Sequence, residues 1–100
     1  MQILDTGKQL AQENMRIDEE LLDSLKEEPI LHFYEWENPS ITHGYFIRPE
    51  KWLHLDKLKE VGIDVARRPT GGGIVFHFWD LAFNYLLPTE HARFSINSLV

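Results

Sequence analysis

The chain has 100 residues, 43% of them apolar and 12% aromatic, a length that allows one small domain with a single core but not two, and a composition ordinary for a globular protein that argues against disorder. It contains no cysteine, which rules out disulfides, a thiolate nucleophile and cysteine-based metal centres within these residues. The net charge of −6 is uneven: ten acids and three bases give residues 1–37 a charge of −7, six acids and seven bases give residues 38–100 a charge of +1, and an acidic first third argues against a nucleic-acid-binding arm.

Thr6-Gly7-Lys8-Gln9 has the spacing of a capping box, so the first element predicted is a helix starting at Thr6. Leu10, Ala11, Met15, Leu21, Leu22 and Leu25 continue it at helical spacing, and Pro29 ends it. Asn14 and Asp18 sit on or beside the apolar stripe, where they are expected to tie the helix to neighbouring backbone. Ile30–Trp36 reads as a strand, Asn38-Pro39-Ser40 as a turn, and Ile41–Phe46 as a second strand carrying Gly44. Pro49, Trp52, Leu55, Leu58, Val61 and a terminal Gly62 predict a second helix, with Lys57 and Lys59 as surface charges complementing its dipole. Ile63–Arg68, Ile74–Trp79 and Leu81–Leu87 read as three more strands, with Asp80 at a bend. Trp36, Trp52 and Trp79 with the six phenylalanines do not make a base-stacking platform, because the accompanying charge is wrong for it and helical and strand spacing places most of them in a core. The order αββαβββ predicts an α+β domain with a mixed or mainly antiparallel sheet flanked by helices.

The segment from Arg67 to His77, Arg-Arg-Pro-Thr-Gly-Gly-Gly-Ile-Val-Phe-His, carries the most chemistry. Three successive glycines cost backbone entropy and are used where the chain must pass close to something. Two guanidinium groups before them can bind phosphate or carboxylate. There is no Gly-Lys-Ser/Thr, so the segment is not a P-loop, and without G-x-G-x-x-G spacing before a helix it is no dinucleotide fingerprint. A tight turn between two strands is the expected form. The histidines show no metal-ligand spacing, with His32, His43 and His54 on separate elements. Asp18 and Asp80 are the acids flanked by apolar residues, and neither makes a persuasive acid/base pair.

This segment resembles the RRxxGGGxVxH signature of the lipoate-protein ligase and octanoyltransferase family, which is related to biotin protein ligases. Asn14-Met15 with Asp18-Glu19 resembles its N-M-x-x-D-E opening. Leu31–Trp36 with Pro39-Ser40-Ile41 and Gly44 resembles its first strand pair, and Asp80–Tyr85 the strand after the histidine. The resemblance covers most of residues 6–87 and implies a class II synthetase or biotin/lipoate ligase-like fold. It implies that Arg68, Thr70, Gly71, Gly72 and Gly73 line an acyl and phosphate site, led into by Arg67, with His77 at its edge and Gly44 beside the acyl pocket. A sheet bend at Gly44 and a backbone-bonded strand-end role for His77 are equally open.

Members of the family activate lipoate or octanoate with ATP and Mg²⁺ and attach it to a lysine of a lipoyl domain. The arginine pair before three glycines leans toward that ligase activity. Octanoyl transfer from a carrier protein, in some members through a cysteine thioester, and a non-catalytic acyl- or adenylate-binding remnant are the alternatives. The family's catalytic lysine falls in a later segment, so residues 1–100 are expected to be the N-terminal part of such a domain, with no catalytic residue among them. That expectation brings with it open sheet edges and self-association. No basic-then-apolar leader and no apolar run near the ~20 residues of a membrane span are visible, so a soluble, cytoplasmic protein is expected.

Overall fold

The computed structural model describes residues 1–78 and 81–87. Among them the chain runs β1 (Gln2–Gln9), α1 (Ala11–Ser24), β2 (Ile30–Trp36), β3 (Ser40–His43), α2 (Leu55–Glu60), β4 (Asp64–Arg67), β5 (Ile74–His77) and β6 (Ala82–Leu86), with a 3₁₀ turn over Pro49–Lys51. The strands form two three-stranded sheets, ordered β1-β2-β6 and β4-β3-β5. Both sheets follow one plan. A strand and the next parallel strand are joined through a helix, as β1-α1-β2 and β3-α2-β4, because parallel neighbours need a crossover. An antiparallel strand completes each sheet, β6 on β2 and β5 on β3. The α+β class with mixed sheets and flanking helices therefore holds, with the strands divided over two sheets.

Three expectations need correction. Thr6–Gln9 is not a helix cap: it belongs to β1, paired in parallel with β2 around an irregularity between Asp5 and Lys8. Gly7 takes φ of 74° there, and the Thr6 hydroxyl turns to His32. Strand pairing outweighs the local capping pattern. The helix starts instead at Ala11, whose N–H donates to Asp64 Oδ2 at 3.3 Å from β4, so the cap is tertiary. The expected Ile30–Trp36/Ile41–Phe46 strand pair is also absent, since β2 and β3 lie in different sheets. Finally, the second helix is short: the chain breaks after the 3₁₀ turn, and α2 covers only Leu55–Glu60. Trp52 and Val61, assigned to its buried stripe, are 71% and 70% exposed.

Ala11, Met15, Tyr34, Trp36 and Ala66 form the core, with Ala82 packed against it. Asn14 and Asp18 are buried on the same face of α1 as Ala11 and Met15. The Asn14 amide donates to the Glu35 carbonyl at 2.8 Å, the helix-to-backbone tie expected of it. Apolar side chains of β5 and β6, including Phe76 and Phe83, remain exposed. No helix among the described residues is long and apolar enough to cross a membrane. The bend expected at Asp80, the strand position of Trp79 and everything from Pro88 onward lie outside the described residues.

Candidate functional site

β4 and β5 do not pair with each other; both pair with β3, so the glycine segment is a loop crossing the end of β3 rather than a hairpin turn. Backbone bonds close it there: Arg68 N–H to His43 O at 2.8 Å, Gly44 N–H to Gly73 O at 3.1 Å, and Tyr45 N–H to Thr70 O at 2.9 Å. Gly44 is glycine for a steric reason. A Cβ at that position would run into the carbonyl of Gly72, with the Gly72 nitrogen 2.9 Å away. Gly72 itself takes φ of 106°, a conformation that favours glycine.

Arg68 clasps the loop from inside. Its Nη2 donates to Gly73 O at 2.6 Å and Gly71 O at 3.3 Å, while Nη1 donates to Thr42 Oγ1 at 2.8 Å. Among the described residues three of the five guanidinium N–H groups are thus committed, leaving two for an incoming anion. Burial pulls the Arg68 pKa below its ordinary value, and the charge interaction with Tyr34 opposes that shift. Thr42 Oγ1 also lies 3.0 Å from His77 Nε2, and the His77 ring stacks on Trp36 at 4.2 Å between centroids.

These residues open onto a cleft of about 280 Å³ between the two sheets. Met15, Trp36, Val75, Leu81, Ala82 and Phe83 make its walls apolar, while Arg68, Thr70, Thr42 and His77 supply polar groups. Its volume falls just below the ~300–1,000 Å³ usual for ligand cavities. Tyr34 and Asn84 complete the lining. A larger hollow, about 630 Å³, lies beside α2 and is lined by His43, Lys59 and Arg67. It contains none of the glycine-loop residues.

Behind Tyr34 and Asn84 runs a buried chain of hydrogen bonds. His32 Nδ1 pairs with Asp18 Oδ1 at 2.7 Å, and His32 Nε2 lies 2.6 Å from the Thr6 hydroxyl. The Asn84 amide donates to Asp18 Oδ2 at 2.5 Å and to the Tyr34 hydroxyl at 3.2 Å. His32 is 0% exposed and Asp18 1%. A carboxyl group so buried needs both oxygens paired, and each has a hydrogen-bond partner here. Asp18 thus binds side chains of two strands, not the backbone as its sequence context implied.

Of the residues singled out from sequence, Arg68, Thr70 and His77 share the cleft. Gly44, Gly71, Gly72 and Gly73 shape the loop without appearing in the cleft wall. Arg67 is separated from them: successive strand residues face opposite ways, and its guanidinium lies 4.3 Å above the Tyr45 ring on the side of the α2 hollow. Sequence reading missed Thr42, the hydroxyl joining Arg68 to His77. One signal was available. β3 reads Ser40-Ile41-Thr42-His43 and is buried throughout, so its polar side chains require partners. No cluster of metal-ligating side chains occurs among the described residues.

Residues 11–100 match the lipoyl protein ligase A/B catalytic domain. The octanoyltransferase LipM of Lysinibacillus sphaericus is 39% identical over 91 residues, which is 88% of this chain and 33% of that protein. Among solved structures, a lipoate-protein ligase A bound with ATP is 37% identical with a TM-score of 0.66, over 84% of this chain and 34% of that one. A bipartite lipoate protein ligase from Thermoplasma acidophilum, described with its E2 lipoyl domain, is 30% identical with a TM-score of 0.74, over 97% of this chain and 41% of its own. The chain spans about a third of the length of the curated relatives it matches. It belongs to the lipoyl protein ligase A/B catalytic domain family.

Proposed function

We propose that this member of the lipoyl protein ligase A/B family forms the acyl-binding, N-terminal part of an octanoyltransferase, residues 1–100 supplying the pocket for a medium-length acyl group that is passed to a lysine of a lipoyl domain. The observation that carries the reading is the cleft itself, apolar along its walls and furnished at the glycine loop with a partly desolvated cation, a threonine and a histidine. An apolar tail takes the walls, and the acyl carbonyl or carboxylate faces Arg68 and Thr70. Octanoyl transfer, rather than ATP-dependent activation, is favoured by the octanoyltransferase relative.

In this reading Arg68 has two duties. It holds Gly71 and Gly73 in place, and its remaining N–H groups stabilise negative charge on the substrate. His77, oriented by Thr42 and Trp36, lies at the edge of the cleft and positions the acyl head. Gly44 and Gly72 permit the backbone contact that brings the loop to the end of β3. Arg67 serves the opposite face, as a contact for a polyanionic group approaching over the loop. The catalytic nucleophile comes from outside these residues, and the site of action is the cytoplasm.

A second reading, ATP- and Mg²⁺-dependent activation of lipoate or octanoate, is supported by the similarity to a ligase bound with ATP. Two assays separate the readings when run on the chain together with the remainder of its catalytic domain. Octanoyl transfer from octanoyl-carrier protein to an apo-lipoyl domain, without ATP, is the expected activity. Octanoate- or lipoate-dependent ATP–pyrophosphate exchange without carrier-dependent transfer would establish the ligase reading instead. Binding of octanoate with neither activity would leave a non-catalytic acyl-binding remnant. In the active form, Arg68→Gln is expected to reduce transfer by at least ~10²-fold, the effect of removing one preorganised donor at developing charge.

A further inference from the structure

We propose that Asn84 and Tyr34 form the closed end of the acyl cleft and set the length of chain it accepts, with Asp18 and His32 as the positioning residues that keep that end from yielding. The inference rests on the acyl-binding reading above and adds what terminates the bound chain.

The order of groups along the cleft follows from β2. Trp36, Tyr34 and His32 lie two residues apart on one face of the strand, each step advancing ~6–7 Å. Their rings form a continuous row that starts from the glycine-loop side. His77 stacks on Trp36 at 4.2 Å, Trp36 meets Tyr34 edge-on at 5.4 Å, and Tyr34 lies 4.7 Å from His32. Trp36 and Tyr34 line the cleft, whereas His32 is fully buried and does not. The cleft therefore stops between Tyr34 and His32. Asn84, opposite His32 in the β2–β6 register, stands at the same level and lines the cleft beside Tyr34.

That wall is polar, and it is braced. Both amide hydrogens of Asn84 are placed, one on Asp18 Oδ2 and one on the Tyr34 hydroxyl. Asp18 is held in turn by His32, and His32 faces Thr6 on β1. A longer acyl chain would have to push Asn84 off a buried carboxylate, leaving an oxygen of Asp18 without a donor. A wall of methionine or leucine could shift rotamer and make room, but this one cannot without breaking a buried network. Met15, one turn before Asp18 on α1, lines the same cleft, so the helix supplies both a wall and the brace behind Asn84.

The test is a chain-length series of free fatty acids, octanoate, decanoate and dodecanoate, titrated into the full chain by calorimetry. The wild-type protein is expected to bind octanoate at least ~10-fold more tightly than dodecanoate, in line with what misfitting methylenes cost in a shaped pocket. Asn84→Ala is expected to erase that ratio by gaining affinity for dodecanoate. Asp18→Asn, which keeps the shape but replaces one acceptor oxygen by a donor, is expected to shift the ratio the same way by a smaller factor. Circular dichroism checks that each variant is folded, and Asn84→Ser carries the same test if the alanine variant is not. A merely structural role for the network would weaken all three acids equally and leave the ratio unchanged, which would overturn the proposal while leaving acyl binding intact. If the wild-type chain binds none of the acids, the acyl-binding reading falls and the length-setting wall with it.

Discussion

The two ends of the cleft are built from opposite materials. At the glycine loop the close contacts are backbone on backbone: Gly44 meets Gly72, and β3 receives the loop through main-chain hydrogen bonds. At the other end the contacts are side chain on side chain, with Thr6, Asp18, His32, Tyr34 and Asn84 drawn from β1, α1, β2 and β6. The first end depends on the absence of side chains and the second on their presence. The loop end should therefore fail when an atom is added, and the network end when one is removed.

Gly44→Ala makes the sharpest break. The added Cβ meets the backbone of Gly72, not the end of a flexible side chain, so relief requires the loop to move off β3. A loss of about 3 kcal/mol or more is expected, at the upper end of overpacking costs, read as a fall in thermal midpoint. An unchanged midpoint would mean that the Gly44–Gly72 contact does not define the loop. Asp18→Ala attacks the other end by deletion. It strands the Asn84 amide and the His32 ring nitrogen, two buried polar groups that cost about 1–3 kcal/mol each when left without a partner, for an expected loss of about 3 kcal/mol. Thr6→Val removes only the outermost hydroxyl of the same chain and should cost about 1 kcal/mol. If Thr6→Val cost as much as Asp18→Ala in urea melts, the network would be anchored at β1 rather than at the carboxylate.

The same contrast explains what could be read from the sequence. Three consecutive glycines after two arginines announce a close approach by composition alone, because the requirement is local. Gly44 could be flagged in the same way, but not its partner, since contact between residues 44 and 72 depends on β3 being shared by β4 and β5. The Asp18–His32–Asn84 chain spans 66 residues and gives no local signal beyond an acid on an apolar helix face. β1 was misread because Thr6-Gly7-Lys8-Gln9 satisfies a helix cap, while the strand it forms gets its stability from β2, more than twenty residues away. α2 was overextended for the converse reason. Its apolar spacing is genuine, but little packs against Trp52 or Val61, and the chain breaks at Leu53-His54 instead.

The adjacent arginines bring the comparison down to one peptide bond. Arg68 points into the loop and is held by three acceptors, whereas Arg67 points away and rests on the exposed face of Tyr45. An exposed guanidinium over an aromatic ring contributes ~0.5–1 kcal/mol, and solvent takes over most of its hydrogen bonding when the ring is lost. Arg67→Ala is accordingly expected to cost about 0.5 kcal/mol, the smallest effect of the set, and Tyr45→Leu should remove the same increment without adding to it in the double variant. Additive losses would show that the two side chains act independently. A loss from Arg67→Ala approaching that of Gly44→Ala would mean that Arg67 also braces the loop, and the division between a clasping arginine and an outward-facing one would have to be abandoned.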